Sequence, residues 1–245
     1  MWLWFHKLSS PPYAYRTASA LRPWFFWPAV TLMLISLYGG LWLAPPDYQQ
    51  KDAFRIIYVH MPGASMATMV YVVMAVAAAV GLIWNMKLAH SVAAACAPLG
   101  ASFTALTIAV GSIYGKPMWG TWWQWEPRLT SVVVLLFFYL GYMALRASFD
   151  DTQRADRASA ILAIVGAINI PIVKYSVVWW SGLHQAPTIS KLGSPSITWD
   201  MAWPMLLMLL AFVLYFAAVM CDRVRVEILR RERNASWLNE SVAKS

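Results

Sequence analysis

Six long apolar runs recur along the chain, separated by short breaks rich in proline or charge. The first covers Trp24 to Ala44 and stops at Pro45 and Pro46. The others cover Ile57 to Trp84, Val92 to Ile113, Leu129 to Leu145, Ala158 to Val173 and Met201 to Met220. At about 1.5 Å per residue each can cross a hydrocarbon layer about 30 Å thick, the fifth only marginally at its strict limits. The pattern predicts an all-α integral membrane protein, with six transmembrane helices in a single membrane domain over residues 1–245. An even number of spans puts both termini on one side. The first 23 residues carry Lys7, Arg16 and Arg22, no acid, and a break at Pro11 and Pro12. They read as a lead-in rather than a cleaved signal peptide, because the run that follows is long enough to span and lacks a small-residue cleavage site.

Composition sharpens this picture. Only 12% of the 245 residues are charged, about half the share usual in soluble domains, so most of the surface faces lipid. The net charge of +8 suggests nucleic acid until the charges are placed. Lysine and arginine gather in cytoplasmic loops. Here 13 of the 19 fall in the amino-terminal segment, the second and fourth loops and the tail over 221–245. Both termini, including that basic tail, are therefore expected in the cytoplasm, and no nucleic-acid partner is needed. Cys96 and Cys221 form neither a CxxC nor a metal spacing. No Asp or Glu lies deep in a span, which argues against an ion-coupled carrier. Asn169, close to Pro171, reads as an interhelical hydrogen-bonding group beside a proline kink. No P-loop or serine elbow is present.

The segment between the third and fourth spans carries the unusual chemistry. Trp119 to Trp125 reads WGTWWQW and holds four of the chain's 15 tryptophans in seven residues, where chance would place fewer than one. An interfacial aromatic belt is the plain explanation. If the stretch is helical, Trp119, Trp122, Trp123 and Glu126 share one face. Pro127 biases Glu126 out of the helical region, so such a helix ends there and the fourth span opens on proline. His60 lies at the outer mouth of the second span, with Pro62 expected in the first helical turn and His60 just before the regular helix. His184 follows the fifth span at the same membrane level. Two imidazoles flanking a tryptophan-rich loop suit a flat apolar macrocycle carrying iron. Tryptophan offers broad contact area with a polar N–H. Arg55 and Arg128, on the same side, offer forked donors for its carboxylates.

The stretch WGTWWQWEPRLTS, its lead-in GKPMWG, the run RIIYVHMP around His60 and the segment PPDYQQ resemble the CcmC family over essentially the whole chain. These are haem-handling proteins of cytochrome c maturation, in the tryptophan-rich WWD-motif superfamily. The resemblance implies a bacterial inner-membrane protein that binds haem b at its periplasmic face. It would promote covalent attachment of that haem to the chaperone CcmE, beside CcmD and the CcmA/CcmB ABC transporter. It also implies that His60 and His184 are the axial ligands, and that Trp119, Trp122, Trp123 and Trp125 form the haem platform within an external loop over 114–128. Arg55 and Arg128 match basic positions in the same segments. The family motif carries aspartate after the last tryptophan, where this chain has Glu126, which keeps the charge and adds a methylene.

Three other functions are compatible with the residues alone. A haem permease requires a ligand on the inner side, where the histidines are His6 and His90. A structural subunit with an aromatic belt predicts no absorbing cofactor. A haem b electron-transfer subunit places its histidines within the spans instead of at their ends. No acid, base or nucleophile of the chain's own is evident, so any lyase-like step would rest on the partner.

Overall fold

The computed structural model describes residues 10–180 and 197–237. Among these residues it contains helices, turns and one isolated bridge between Asp47 and Lys51, with no strand. The helices are α1 (Pro11–Tyr38), α2 (Ile57–Trp84), α3 (Lys87–Trp119), α4 (Pro127–Ala147), α5 (Thr152–Gly166), α6 (Asn169–Trp179) and α7 (Trp199–Arg231). Six helical segments are long and apolar enough to cross a membrane, with α5 and α6 together making the fifth. The six-span reading therefore holds, while the ends of the spans move outward. Pro11 and Pro12 open α1 instead of breaking the chain ahead of it, since proline's missing N–H costs nothing in a first turn. The last helix continues eleven residues beyond Met220, to Arg231. Of its arginines there, Arg225 and Arg231 find partners within the bundle, while Arg223 and Arg230 are exposed.

The centre is built by α2 and α3, which run antiparallel in one register. Gly63 faces Thr107, His60 faces Gly111 and Gly81 faces His90. Met66, Val70, Tyr71 and Met74 of α2 meet Cys96 and Ala97 of α3, Tyr139 of α4 and Met208 of α7 in the main core. Tyr139 donates to the carbonyl of Ala67 at 2.8 Å. Its ring lies where a side chain on Gly100 would project, which fixes α4 close against α3. α1 lies along α7, pinned where Ser36 Oγ donates to the Pro204 carbonyl at 2.6 Å.

The fifth span is broken at Ala167 and Ile168. Pro171 cannot donate to the Ala167 carbonyl, and its ring crowds that group. Asn169, buried, donates through Nδ2 to the Ser131 carbonyl of α4 at 2.9 Å, as its place beside the proline predicts. Bonds of this kind in lipid contribute about 0.6–1.7 kcal/mol. Asn169→Ala should therefore lower the stability of the detergent-solubilised protein by about that amount. Unchanged unfolding behaviour would show that the α4–α6 contact is held by apolar packing alone.

At the end opposite the tryptophans, called here the arginine end, lies a charged cluster with no counterpart in the sequence reading. Arg146 of α4 bonds both Asp156 of α5 and Glu227 of α7. Arg231 grips Asp156 through two nitrogens at 2.8 and 2.9 Å. The side chains are only 7–16% exposed.

Candidate functional site

At the tryptophan end, helical backbone begins earlier than the sequence suggests. A 3-10 turn over Asp52–Ile56 leads directly into α2. His60 consequently sits inside the helix, as its fourth residue, and the buried Pro62 lies beyond the first turn. The expectation that His60 precedes the regular helix is corrected by that preceding turn, which supplies the nucleus expected at Pro62. The imidazole, half-buried, rests on α3 at Gly111. A methyl group on Gly111 would stand 3.0 Å from His60 Cε1, so the absence of a side chain there makes the seat.

The tryptophan stretch is not one helical face. α3 runs through Pro117 to Trp119 and stops because Gly120 adopts a left-handed backbone, φ 75°, closing the helix with a bond from its N–H to the Lys116 carbonyl at 3.1 Å. Residues 120–126 then form a non-helical loop. Trp119 meets Tyr114 edge-on, with ring centroids 5.9 Å apart. Trp123 and Trp125 meet in the same manner at 5.4 Å. Thr121 pins the turn by donating from Oγ1 to the Trp123 carbonyl at 2.9 Å. Trp122 and Trp125 are 58% and 72% exposed, whereas Trp123 Nε1 is buried with no hydrogen-bond acceptor among the described residues. An exposed pair of indole faces beside a buried, unanswered N–H is a surface suited to a flat ligand with a polar edge.

Glu126 is 7% exposed and caps the start of α4, its carbonyl accepting from Thr130 N at 2.9 Å. Pro127 opens α4 as expected. Glu126 and Arg128 interact electrostatically, and the carboxylate is buried and does not stand on the exposed platform. Arg128 makes one long bond, 3.5 Å, to the Lys174 carbonyl on α6. Arg55 is more committed. Its Nε donates to Asp52 at 2.9 Å, and its Nη1 reaches the carbonyls of Gly40 and Ala44 at 2.9 and 3.0 Å. It thereby closes the π-helical turn Gly39–Leu43 that ends α1, where carbonyls lack helical partners. His184 lies outside the described residues, five positions after Trp179 at the end of α6.

The structure thus brings His60, the tryptophan loop, Glu126, Arg55 and Arg128 to one end of the bundle. A family profile described as Heme exporter protein C matches residues 4–239. The chain belongs to the Heme exporter protein C family. It is 43% identical to the Heme exporter protein C of Escherichia coli strain K12 over 245 residues, which is all of this chain and 98% of the relative. To that of Haemophilus influenzae it is 42% identical over 238 residues, 97% of each chain. To that of Bradyrhizobium diazoefficiens it is 43% identical over 224 residues, 91% of this chain and 85% of the relative. Membership supports a part in haem handling.

Two parts of this family member's site are absent from the sequence reading. Gly111 and Gly115 lie one turn apart on α3. Gly111 seats His60, while Gly115 is buried where the Thr121 carbonyl folds back over the helix end. Their spacing, a small residue every fourth position, was the available signal. Tyr114 donates from its hydroxyl to Gln50 Oε1 at 2.6 Å, tying α3 to the loop before α2. That pairing spans 64 positions and leaves no local trace.

Proposed function

We propose that this protein binds haem at the tryptophan end, facing the periplasm from the bacterial inner membrane, and presents it for covalent attachment to the chaperone CcmE. The observation that supports this is the juxtaposition at one bundle end of two features. The His60 imidazole is seated on Gly111, and two turns along α3 a loop shows open indole faces and a buried Trp123 N–H without an acceptor. Haem supplies the iron that takes imidazole ligands and the vinyl carbon at which the partner's residue reacts. The chain's own residues hold and orient it. His60 and His184 would hold the iron, Trp119, Trp122, Trp123 and Trp125 would provide the apolar walls, and Arg128 and Trp123 would donate to the carboxylates. Arg55, its Nε and Nη1 already engaged, keeps the end of α1 fixed beside α2 and adds positive potential, and Glu126 places a negative charge near Arg128. CcmD and the CcmA/CcmB transporter complete the assembly in this reading.

A permease is less well supported. At the arginine end, His90 lines a cavity of about 320 Å³ whose walls include Lys87, Gln153, Asp156, Arg157 and Arg231, with Leu82 as the aliphatic member. Charged side chains therefore line much of this cavity, where a porphyrin face calls for apolar contact.

Haem-loaded protein, mixed with the soluble domain of CcmE and without CcmA, CcmB or ATP, should pass its haem on, leaving covalently bound haem on the chaperone. The experiment is run with the iron reduced and again oxidised. No transfer in either state, together with haem delivered into sealed vesicles by the protein alone, would replace presentation with permeation.

A further inference from the structure

A second cavity, about 350 Å³, opens on the side of the bundle between α1, α3 and α7. Its walls are mostly apolar, with Met33, Leu99, Phe103, Leu106 and Phe212 prominent among them, and Arg223 stands at one mouth. From Phe212 to Arg223 the groove follows eleven residues of α7, about 16 Å at the helical rise. That is about half of a 30 Å hydrocarbon core, so the groove spans one leaflet, the one at the arginine end. The charges around its mouth are sorted unevenly. Asp222 bonds Arg22 at 3.2 Å and lies 3.6 Å from Arg225. Arg223, exposed, has no carboxylate within ion-pair distance among the described residues.

We infer that this groove is a binding site for an anionic phospholipid, with its phosphate at Arg223 and one acyl chain along Leu99, Phe103, Leu106 and Phe212. Length and charge decide against a partner's transmembrane helix as the occupant. A spanning helix needs an apolar track through both leaflets, whereas the residues lining this groove on α7 reach only from Phe212 to Arg223, and the groove ends on a cation. An unpaired arginine there is matched by a lipid phosphate, which accepts its forked donors. The inference does not depend on haem binding. In the proposed orientation the lipid belongs to the cytoplasmic leaflet.

The test uses the full chain in nanodiscs of equal phosphatidylglycerol and phosphatidylcholine, released into detergent and examined by native mass spectrometry. Wild type should retain phosphatidylglycerol preferentially. Arg223→Gln should reduce that preference at least threefold, and Leu106→Trp, which fills the groove, should reduce retention of both lipids. Equal retention by wild type and both variants would overturn the site. A photo-crosslinking residue at Ser102, on the groove wall, should give lipid adducts in native membranes. Adducts to a protein alone would overturn the lipid assignment in favour of a partner helix. Variants that fail to insert are recognised by their loss from the membrane fraction, and the Ser102 crosslink then decides.

Discussion

Replacing His60 by alanine is expected to lower haem retention by on the order of tenfold or more, with membrane insertion intact. Loss of a residue that merely supports a metal ligand typically costs 10- to 100-fold in affinity, and the loss of a ligand itself should cost at least as much. The substitution leaves the helix sound, since His60 lies within α2 and alanine is a good helix former. Gly111→Ala provides the graded companion. Its added methyl, 3.0 Å from Cε1, displaces the ring by a few tenths of an ångström without deleting it. The absorption spectrum of this variant should therefore shift, with part of the haem retained. Spectra of the purified oxidised and reduced proteins decide the matter, with His184→Ala alongside. Haem content equal to wild type in both histidine variants would remove the axial assignment and return the tryptophans to an interfacial belt.

The second large effect is structural and lies at the other end of the molecule. Asp156→Ala should destabilise the protein by about 3–5 kcal/mol, the usual consequence of removing one partner from a buried ion pair. Arg146 and Arg231, 16% and 12% exposed, would be left sharing Glu227 alone. Asp222→Ala is the contrasting case. Arg22 and Asp222 are 37% and 43% exposed, and pairs of that kind contribute at most about 1 kcal/mol. Thermal unfolding in detergent, read at low and high salt, separates the two. The loss for Asp156→Ala should persist in salt. Equal, small losses for both variants would mean that the cluster is as solvated as the surface pair.

What the sequence makes legible here is set by range. Apolar runs long enough to cross a bilayer are visible wherever they occur, so six spans were readable, as was the proline start of α4. The ends of those spans were less so, because α1, α3 and α7 continue past their apolar windows into residues whose helical state is decided by tertiary partners. Arg231 shows why. In the chain it is one of several basic residues after the last apolar run, and only its meeting with Asp156, 75 positions away, shows it to be a structural group. The tryptophan loop was recognisable by composition but not in shape. Periodicity suggested one helical face, and the left-handed backbone at Gly120 overrode it. Arg55 was visible as a cation near the tryptophan end, while its engagement with two carbonyls depended on the turn that ends α1.

The register of α2 against α3 also sets the heights of two imidazoles. His60 rests on Gly111 near one surface and His90 rests on Gly81 near the other, and 21 residues separate the two contacts on each helix. At the helical rise that is about 32 Å, the full thickness of the oily layer. The two imidazoles therefore mark opposite ends of one pair of interlocked rods, each end fixed where a glycine lets a ring nestle. A side chain added at Gly111 or at Gly81 would therefore be met by an imidazole, at opposite faces of that layer.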